Sequence, residues 1–179
     1  ARGYKNLLVK IKISSILEDY ILGEEYVKQL LAITNRWPLA YLAAGQLANA
    51  SGQTQQALLD YNLALLNIPD INDPRLNEEH LKSVQGYLYF IHSRIGDIYR
   101  EQKDYPAARN HYQLAYYNNP EDFTILKKIA DTYYYQGDLA NAIKYNLRGL
   151  AHNPQDYNWS LALGALYWEL DNKQQALVY

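Results

Sequence analysis

The sequence has no cysteine, no methionine and no long apolar run. The absence of cysteine excludes disulfides, thiolate nucleophiles and cysteine metal sites, and it leaves the redox compartment undetermined. No stretch approaches the roughly 18 apolar residues that cross a bilayer, and no signal-peptide pattern is visible. The missing methionine, and an end at Tyr179 inside an apolar pattern, favour a piece of a longer protein.

Net charge is also small, at −2 over 179 residues. Such a chain has no strong field that would draw it to phosphate backbones or anionic lipid, so nucleic acid is not an expected partner. Apolar residues make up 49% of the chain, which is typical of a soluble globular protein with a packed core. The sequence does not distinguish a cytoplasmic from a periplasmic or extracellular location, although its richness in asparagine, glutamine, tyrosine and lysine favours a bacterial source.

A repeat of about 34 residues organises the chain from Pro38 onward. In GDIYREQKDYPAARNHYQLAYYNNP, small residues, tyrosines and a proline hold fixed positions that recur in other copies. The repeated marks are Gly45, Ala57, Tyr61 and Pro69, then Gly96, Tyr99, Ala108, Tyr112 and Pro120, then Tyr133, Ala142 and Pro154, and finally Gly164, Tyr167 and Ala176. The small residue lets two helices approach closely while an aromatic ring fills the gap, and the proline ends the second helix. The repeat therefore predicts packed pairs of short helices.

These residues resemble the tetratricopeptide repeat family, whose pattern is matched loosely by YLAAGQLA, RIGDIY, KIADTYYYQGD and LALGALY. The resemblance implies an all-α fold, a right-handed α-solenoid of helix-turn-helix repeats. Complete units are predicted at 38–71, 89–122 and 123–156, with an incomplete unit at 157–179, a divergent N-terminal hairpin at 1–37 and an insertion at 72–88.

The insertion and the N-terminal hairpin lack the repeat marks. The insertion is predicted to be a loop followed by a helix that begins near Asn77, and it either pads the solenoid or forms a functional ledge beside the groove. A terminal repeat needs only one packed face, so the hairpin is expected to be a degenerate or capping repeat. Helical spacing predicts that its two apolar faces carry Val9, Ile13, Ile16, Leu17 and Tyr20, and then Tyr26, Leu30 and Ile33.

The sequence contains no residue pattern typical of a catalytic site. The four histidines, His80, His92, His111 and His152, show no metal-ligand spacing, and His92 and His111 are expected to pack. No phosphate-binding loop, nucleophile elbow or dinucleotide fingerprint is present. We therefore expect no catalytic residue, metal or cofactor, and predict that the chain is not an enzyme.

The resemblance also implies a function, the binding of a partner protein or peptide in a concave groove lined by the first helix of each unit. Carried onto this sequence, the groove comprises Phe90, Asp97, Arg100, Glu101, Lys127, Asp131, Tyr134, Tyr135 and Trp168. The aromatic side chains would anchor the partner and the charges would set its register. Two recognition sets of the family, a basic clamp for a terminal carboxylate and a ladder of asparagines, are missing at the corresponding positions.

Two alternatives remain open at this stage. A structural subunit could stack end to end into a filament through apolar ends, because Ala176, Leu177 and Tyr179 belong to a half-unit without a partner helix. The chain could also be a soluble appendage of a larger enzyme or membrane protein. Neither the identity of a partner nor the oligomeric state follows from the sequence.

Overall fold

The computed structural model describes residues 3–34 and 37–179. Helices are the only regular elements in these ranges, and the chain divides into two compact units, Ala1–Tyr87 and Leu88–Tyr179, with the division inside the fifth helix. The predicted all-α fold of helix-turn-helix repeats is confirmed. Among the helices of the described ranges, none is long and apolar enough to span a membrane.

The first unit contains two helical hairpins and the start of a long helix. Its helices are α1 (Gly3–Ile16), α2 (Tyr20–Ile33), α3 (Pro38–Ala50), α4 (Thr54–Leu66) and the beginning of α5 (Glu78–Glu101). Asn77 caps α5, since its Oδ1 accepts a hydrogen bond from the backbone N–H of His80 at 2.8 Å. A core cluster joins α1, α2 and α3 through Leu7, Ile11, Leu30, Ala40, Ala43 and Leu47.

The buried face of the N-terminal hairpin differs from the one that spacing predicted. Five residues expected on buried faces are instead between 48% and 71% exposed, namely Val9, Ile13, Ile16, Leu17 and Ile33. Leu7 and Ile11 are buried in their place. Because apolar residues surround α1, helical spacing alone fits more than one face; the contact of Tyr4 with Trp37, with ring centroids 4.7 Å apart, lies on the observed face.

The turns inside the helix pairs share one backbone geometry. A residue with left-handed φ precedes the cap of the second helix in each pair, at Glu18 (58°), Gly52 (77°), Lys103 (63°), Gly137 (77°) and Asp171 (54°). The next residue is the N-cap of that helix, and except at Gln53 its side chain accepts a backbone hydrogen bond; the side chain of Asp138, for example, accepts from the backbone N–H of Asn141 at 3.0 Å. The N-terminal hairpin uses the same turn although it lacks the other marks of the repeat.

The second unit also consists of paired helices. It contains the rest of α5, α6 (Tyr105–Asn118), α7 (Thr124–Tyr135), α8 (Leu139–His152), α9 (Tyr157–Glu169) and the short α10 (Lys173–Ala176). A Cβ added at Gly96 would lie 2.6 Å from the ring of Tyr112, and one added at Gly149 would lie 2.5 Å from the ring of Trp159. Glycine at these positions therefore lets an aromatic ring of the next helix lie directly on the backbone.

Candidate functional site

A pocket of about 290 Å³ lies among α7, α8 and α9 in the second unit. We call it the α7–α9 pocket, and its lining residues are Ala130, Asp131, Tyr134, Asn146, Ala162, Ala165, Leu166 and Glu169. The apolar part of the wall consists mainly of alanine, whose small side chain leaves room between the helices. The polar part brings two carboxyl groups, one amide and one phenol to the same cavity.

This pocket lies where the repeat departs from its own pattern. Tyr61 and Tyr112 occupy one slot in two other repeats, and both are at most 1% exposed, with their rings against Gly45 and Gly96. In the repeat formed by α7 and α8 the same slot holds Asn146 and the facing small residue is Ala130. The smaller amide does not fill the space of a tyrosine ring, and a cavity remains.

Asp131 is the half-buried acid of the α7–α9 pocket. Burial raises the pKa of its carboxyl group, while the positive charges of Lys127 and Arg100 lower it. Neither cation lies within ion-pair distance of it, and within the described ranges its carboxylate has no hydrogen-bond partner. A carboxylate that is partly removed from water and has no partner is costly, and a ligand that donates to it would offset that cost.

Asn146 is the most deeply buried polar residue in the wall, with only 4% of its surface exposed. Its Nδ2 donates to the backbone carbonyl of Ala142 at 2.9 Å, which fixes the orientation of the amide. The other polar atom, Oδ1, accepts no hydrogen bond from the described part of the chain. One acceptor of a buried amide is therefore available to a bound group.

A pocket of similar size in the first unit has acids that already have partners. It measures about 280 Å³ and is lined by residues of α2, α3 and α4 together with Gln53. Gln53 donates to Glu24 at 2.9 Å, and Gln56 donates to Asp60 at 3.0 Å. Because these carboxylates are satisfied within the protein, the α7–α9 pocket is the stronger candidate for binding.

The residues that the sequence assigned to a groove lie in several different surroundings. Asp131 and Tyr134 line the α7–α9 pocket, and Trp168 is 64% exposed beside Glu169 on α9. Tyr135 stacks instead on Tyr105 of α6, with ring centroids 5.5 Å apart.

The five other members of the assigned set lie outside this pocket. Asp97 accepts hydrogen bonds from Tyr112 at 2.8 Å and from Lys128 at 2.7 Å, so its carboxylate serves the packing of α5, α6 and α7. The ring of Phe90 lies 4.9 Å from the guanidinium of Arg94, and Lys127 lines a separate pocket near the start of α7. Arg100 buries its Nε without a partner among the described residues, and Glu101 is exposed.

Sequence reasoning missed Asn146 and the small residues of α9 as parts of the pocket wall. The signal that could have found them is the amide in a slot that holds tyrosine in two other repeats. The half-unit at the chain end also differs from expectation, because Tyr179 stacks on Tyr167 with ring centroids 5.8 Å apart. Leu177, in contrast, is 86% exposed.

His92 and His111 form a pair between α5 and α6, with their Nδ1 atoms 3.1 Å apart. The ring of Tyr99 stacks on His111 at 5.6 Å, so the imidazoles contribute to packing. Among the residues that the structure describes, no group of three or more histidine, aspartate or glutamate side chains is placed to hold a metal ion.

The histidine pair predicts a pH dependence of stability. Burial and the neighbouring His111 lower the pKa of His92 to about 4, whereas an unfolded histidine titrates near 6.5. As pH falls, the unfolded chain takes up this proton first, so the free energy of unfolding is expected to fall between about pH 6.5 and about pH 4. Urea midpoints measured across this window should decline less steeply for His92→Gln than for the parent protein. The exposed His80→Gln is the control, and equal slopes for all three proteins would contradict the assignment.

The comparisons with known proteins agree with this architecture. Family models described as tetratricopeptide repeat match residues 91–122 and 127–179. No curated protein sequence matches the chain significantly.

Solved structures resemble the fold at low sequence identity. MamA 41-end from Desulfovibrio magneticus RS-1 is 15% identical with a TM-score of 0.75, and the match covers 99% of this chain and 90% of that one. YrrB, a TPR protein with an unusual peptide-binding site, is 16% identical with a TM-score of 0.66 over 93% of this chain and 77% of that one. Cut9 in the APC/C hetero-tetramer Cut9-Hcn1 is 22% identical with a TM-score of 0.68 over 91% of this chain and 30% of that chain.

At these identities the solved structures show the fold alone. The family matches identify repeats at residues 91–122 and 127–179, and the described helices pair as the repeat predicts. Residues 91–122 and 127–179 therefore match the tetratricopeptide repeat family.

Proposed function

We propose that this protein is a non-catalytic interaction scaffold that binds a segment of a partner protein at the α7–α9 pocket. The observation that carries the proposal is a concave site whose half-buried carboxylate and buried amide oxygen have no partners in the described chain. Polar groups left in this state inside a pocket are typical of ligand sites, where they fix the orientation of the bound group.

Exposed apolar side chains beside the pocket support a protein segment as the ligand. Leu161, Ala165 and Trp168 follow one another at helical spacing along one stripe of α9. Ala165 lines the pocket, while Leu161 is 67% and Trp168 is 64% exposed. Tyr134 is 43% exposed at the pocket wall on α7. Large aromatic residues are enriched among the side chains that dominate binding energy at protein interfaces.

The similarity to YrrB also supports this function, since that protein has the same fold and a peptide-binding site. The likeness does not supply the binding residues, because this chain's pocket depends on its own departure from the repeat at Asn146. A protein-interaction role agrees with the family, whose helix pairs present extended surfaces to other proteins.

The test uses peptides of about twelve residues selected from a random library on the whole chain. Tyr134→Ala and Trp168→Ala are each expected to weaken binding of the selected peptides about tenfold or more, because aromatic side chains that become buried on binding carry a large share of interface energy. The control is Tyr117→Ala on α6, where the side chain is 78% exposed and lies outside the pocket wall. Affinities measured by calorimetry that stay within twofold for both test variants would overturn the proposed site.

A pocket-filling variant provides a second arm of the same test. The double substitution Ala130→Gly with Asn146→Tyr restores the glycine and tyrosine that Gly96 and Tyr112 provide in the preceding repeat. The ring is expected to occupy the cavity and block binding while the helix pair stays folded. Unchanged peptide affinity in a folded double variant would place binding elsewhere on the protein.

A further inference from the structure

The α7–α9 pocket differs from an ordinary apolar groove in the chemistry of its polar atoms. Its wall contains the carboxylates of Asp131 and Glu169 and the amide oxygen of Asn146, all of which are hydrogen-bond acceptors. The remaining polar group of the wall is the hydroxyl of Tyr134, which both donates and accepts. No lysine, arginine or histidine belongs to the lining.

From this chemistry we propose, on the basis of the proposed function, that the pocket receives a cationic side chain, lysine or arginine, of the bound segment. The ammonium or guanidinium group lies between Asp131 and Glu169 and donates to the Oδ1 of Asn146. The methylene stem of the side chain lies along Ala162, Ala165 and Leu166.

The buried amide is the observation that points to a donor independently of the two acids. Only 4% of the surface of Asn146 is exposed. Its Nδ2 donates to the carbonyl of Ala142 at 2.9 Å, and this bond fixes the orientation of the amide. Its Oδ1 has no hydrogen-bond donor in the described part of the chain and is open to accept one from a bound group.

The carboxylate of Asp131 makes the pocket favourable for a positively charged group. Lys127 and Arg100 act on it only at longer range, so they offset its negative charge less than a direct ion pair would. A cation brought within hydrogen-bond distance of the carboxylate forms the short, charge-assisted contact that the free protein does not make.

The dimensions of the pocket agree with one long side chain. Its volume of about 290 Å³ is at the lower end for ligand pockets, which usually measure about 300 to 1,000 Å³. Lysine and arginine combine an apolar stem with a charged end, which suits a cavity with alanine and leucine on one side and acids on the other. Bare Ca²⁺ or Mg²⁺ fits less well, because these ions take six or more oxygen ligands.

The experiment uses peptides selected on the parent protein and compares two kinds of change. In the peptide, each lysine or arginine is replaced in turn by glutamine; in the protein, Asp131→Asn and Glu169→Gln are made separately. One peptide position is expected to lose about tenfold or more in affinity, and each acid variant is expected to weaken the parent peptide about fivefold to tenfold. Because both changes remove one contact, combining the peptide change with Asp131→Asn should weaken binding by much less than the product of the two separate effects.

Controls separate this inference from the proposed function. Glu121→Gln neutralises an exposed acid outside the pocket wall and is expected to leave the affinity within twofold. If Tyr134→Ala weakens the peptides but neither acid variant does, the cationic side chain is excluded while the binding site stands. If Tyr134→Ala, Trp168→Ala and both acid variants leave affinity unchanged, the proposed function fails as well. Thermal unfolding of each variant confirms that loss of binding does not arise from loss of the fold.

Discussion

Tyr112→Ala is expected to lower the free energy of unfolding by about 3 to 5 kcal/mol, the range for truncating a large buried aromatic residue. The ring of Tyr112 is 0% exposed and lies against the backbone of Gly96. Its hydroxyl donates to Asp97 at 2.8 Å, and Lys128 donates to the same carboxylate at 2.7 Å. The substitution therefore opens a cavity between α5 and α6 and removes one donor from a part-buried acid.

Two variants separate the ring from the hydroxyl in a urea titration. Tyr112→Phe keeps the ring and is expected to cost about 1 kcal/mol, because Lys128 still satisfies Asp97. Tyr117→Ala removes an exposed tyrosine from the same helix and is expected to change stability by less than about 0.5 kcal/mol. A cost for Tyr112→Ala that is no larger than the cost for Tyr117→Ala would contradict the packing of α5 on α6.

The second large effect is expected at two glycines of α5. Replacement by alanine should raise the stability of the protein at one of them and lower it at the other. A Cβ at Gly86 meets nothing within 4 Å, so Gly86→Ala gains helix propensity and is expected to add about 0.5 to 1 kcal/mol to stability. A Cβ at Gly96 would lie 2.6 Å from the ring of Tyr112 and 3.2 Å from the carbonyl oxygen of Ala108. The ring is buried and the carbonyl belongs to the backbone, so α5 must move away.

Both substitutions gain the same helix propensity. The difference between their free energies of unfolding therefore measures the cost of the clash at Gly96. Gly96→Ala is expected to be about 1 to 3 kcal/mol less stable than Gly86→Ala, the usual cost of overpacking a core. Chemical denaturation of the two variants measures this difference directly. Equal stabilities would mean that α5 and α6 do not approach as closely as the structure shows.

The sequence contains enough to predict the repeat architecture, because each mark has a physical cause. Glycine at Gly45 and Gly96 is required by the ring that lies on it, and Gly52 and Gly137 have the left-handed φ expected of a turn. The same turn at Lys103 shows that position in the repeat also sets this conformation. The contacting residues lie on consecutive helices, so their spacing along the chain is fixed and visible in one sequence.

The N-terminal hairpin could not be oriented in the same way. Its helices have apolar residues on several sides, and the buried face depends on contacts with Trp37 and α3 that are distant in sequence. Spacing within one helix does not contain that information, so Val9 and Ile13 were expected on the wrong side of α1.

The candidate site was predictable only in part for a different reason. Helical position placed Asp131 and Tyr134 beside each other, but it did not show that Tyr135 stacks on Tyr105 or that Asp97 already has two donors. The depth of the pocket depends on Asn146, a residue of a second helix. A comparison of the repeats shows that Asn146 stands where two others have tyrosine, and this difference would have indicated the cavity.

The measurement that tests the account most directly is a map of backbone amide chemical-shift changes in the whole chain as a selected peptide is added. If the peptide binds at the α7–α9 pocket, the largest changes occur in α7 and α9, at residues of the pocket and at Trp168. Changes confined to the first unit, or to the exposed side of α6 around Tyr117, would contradict binding at this pocket.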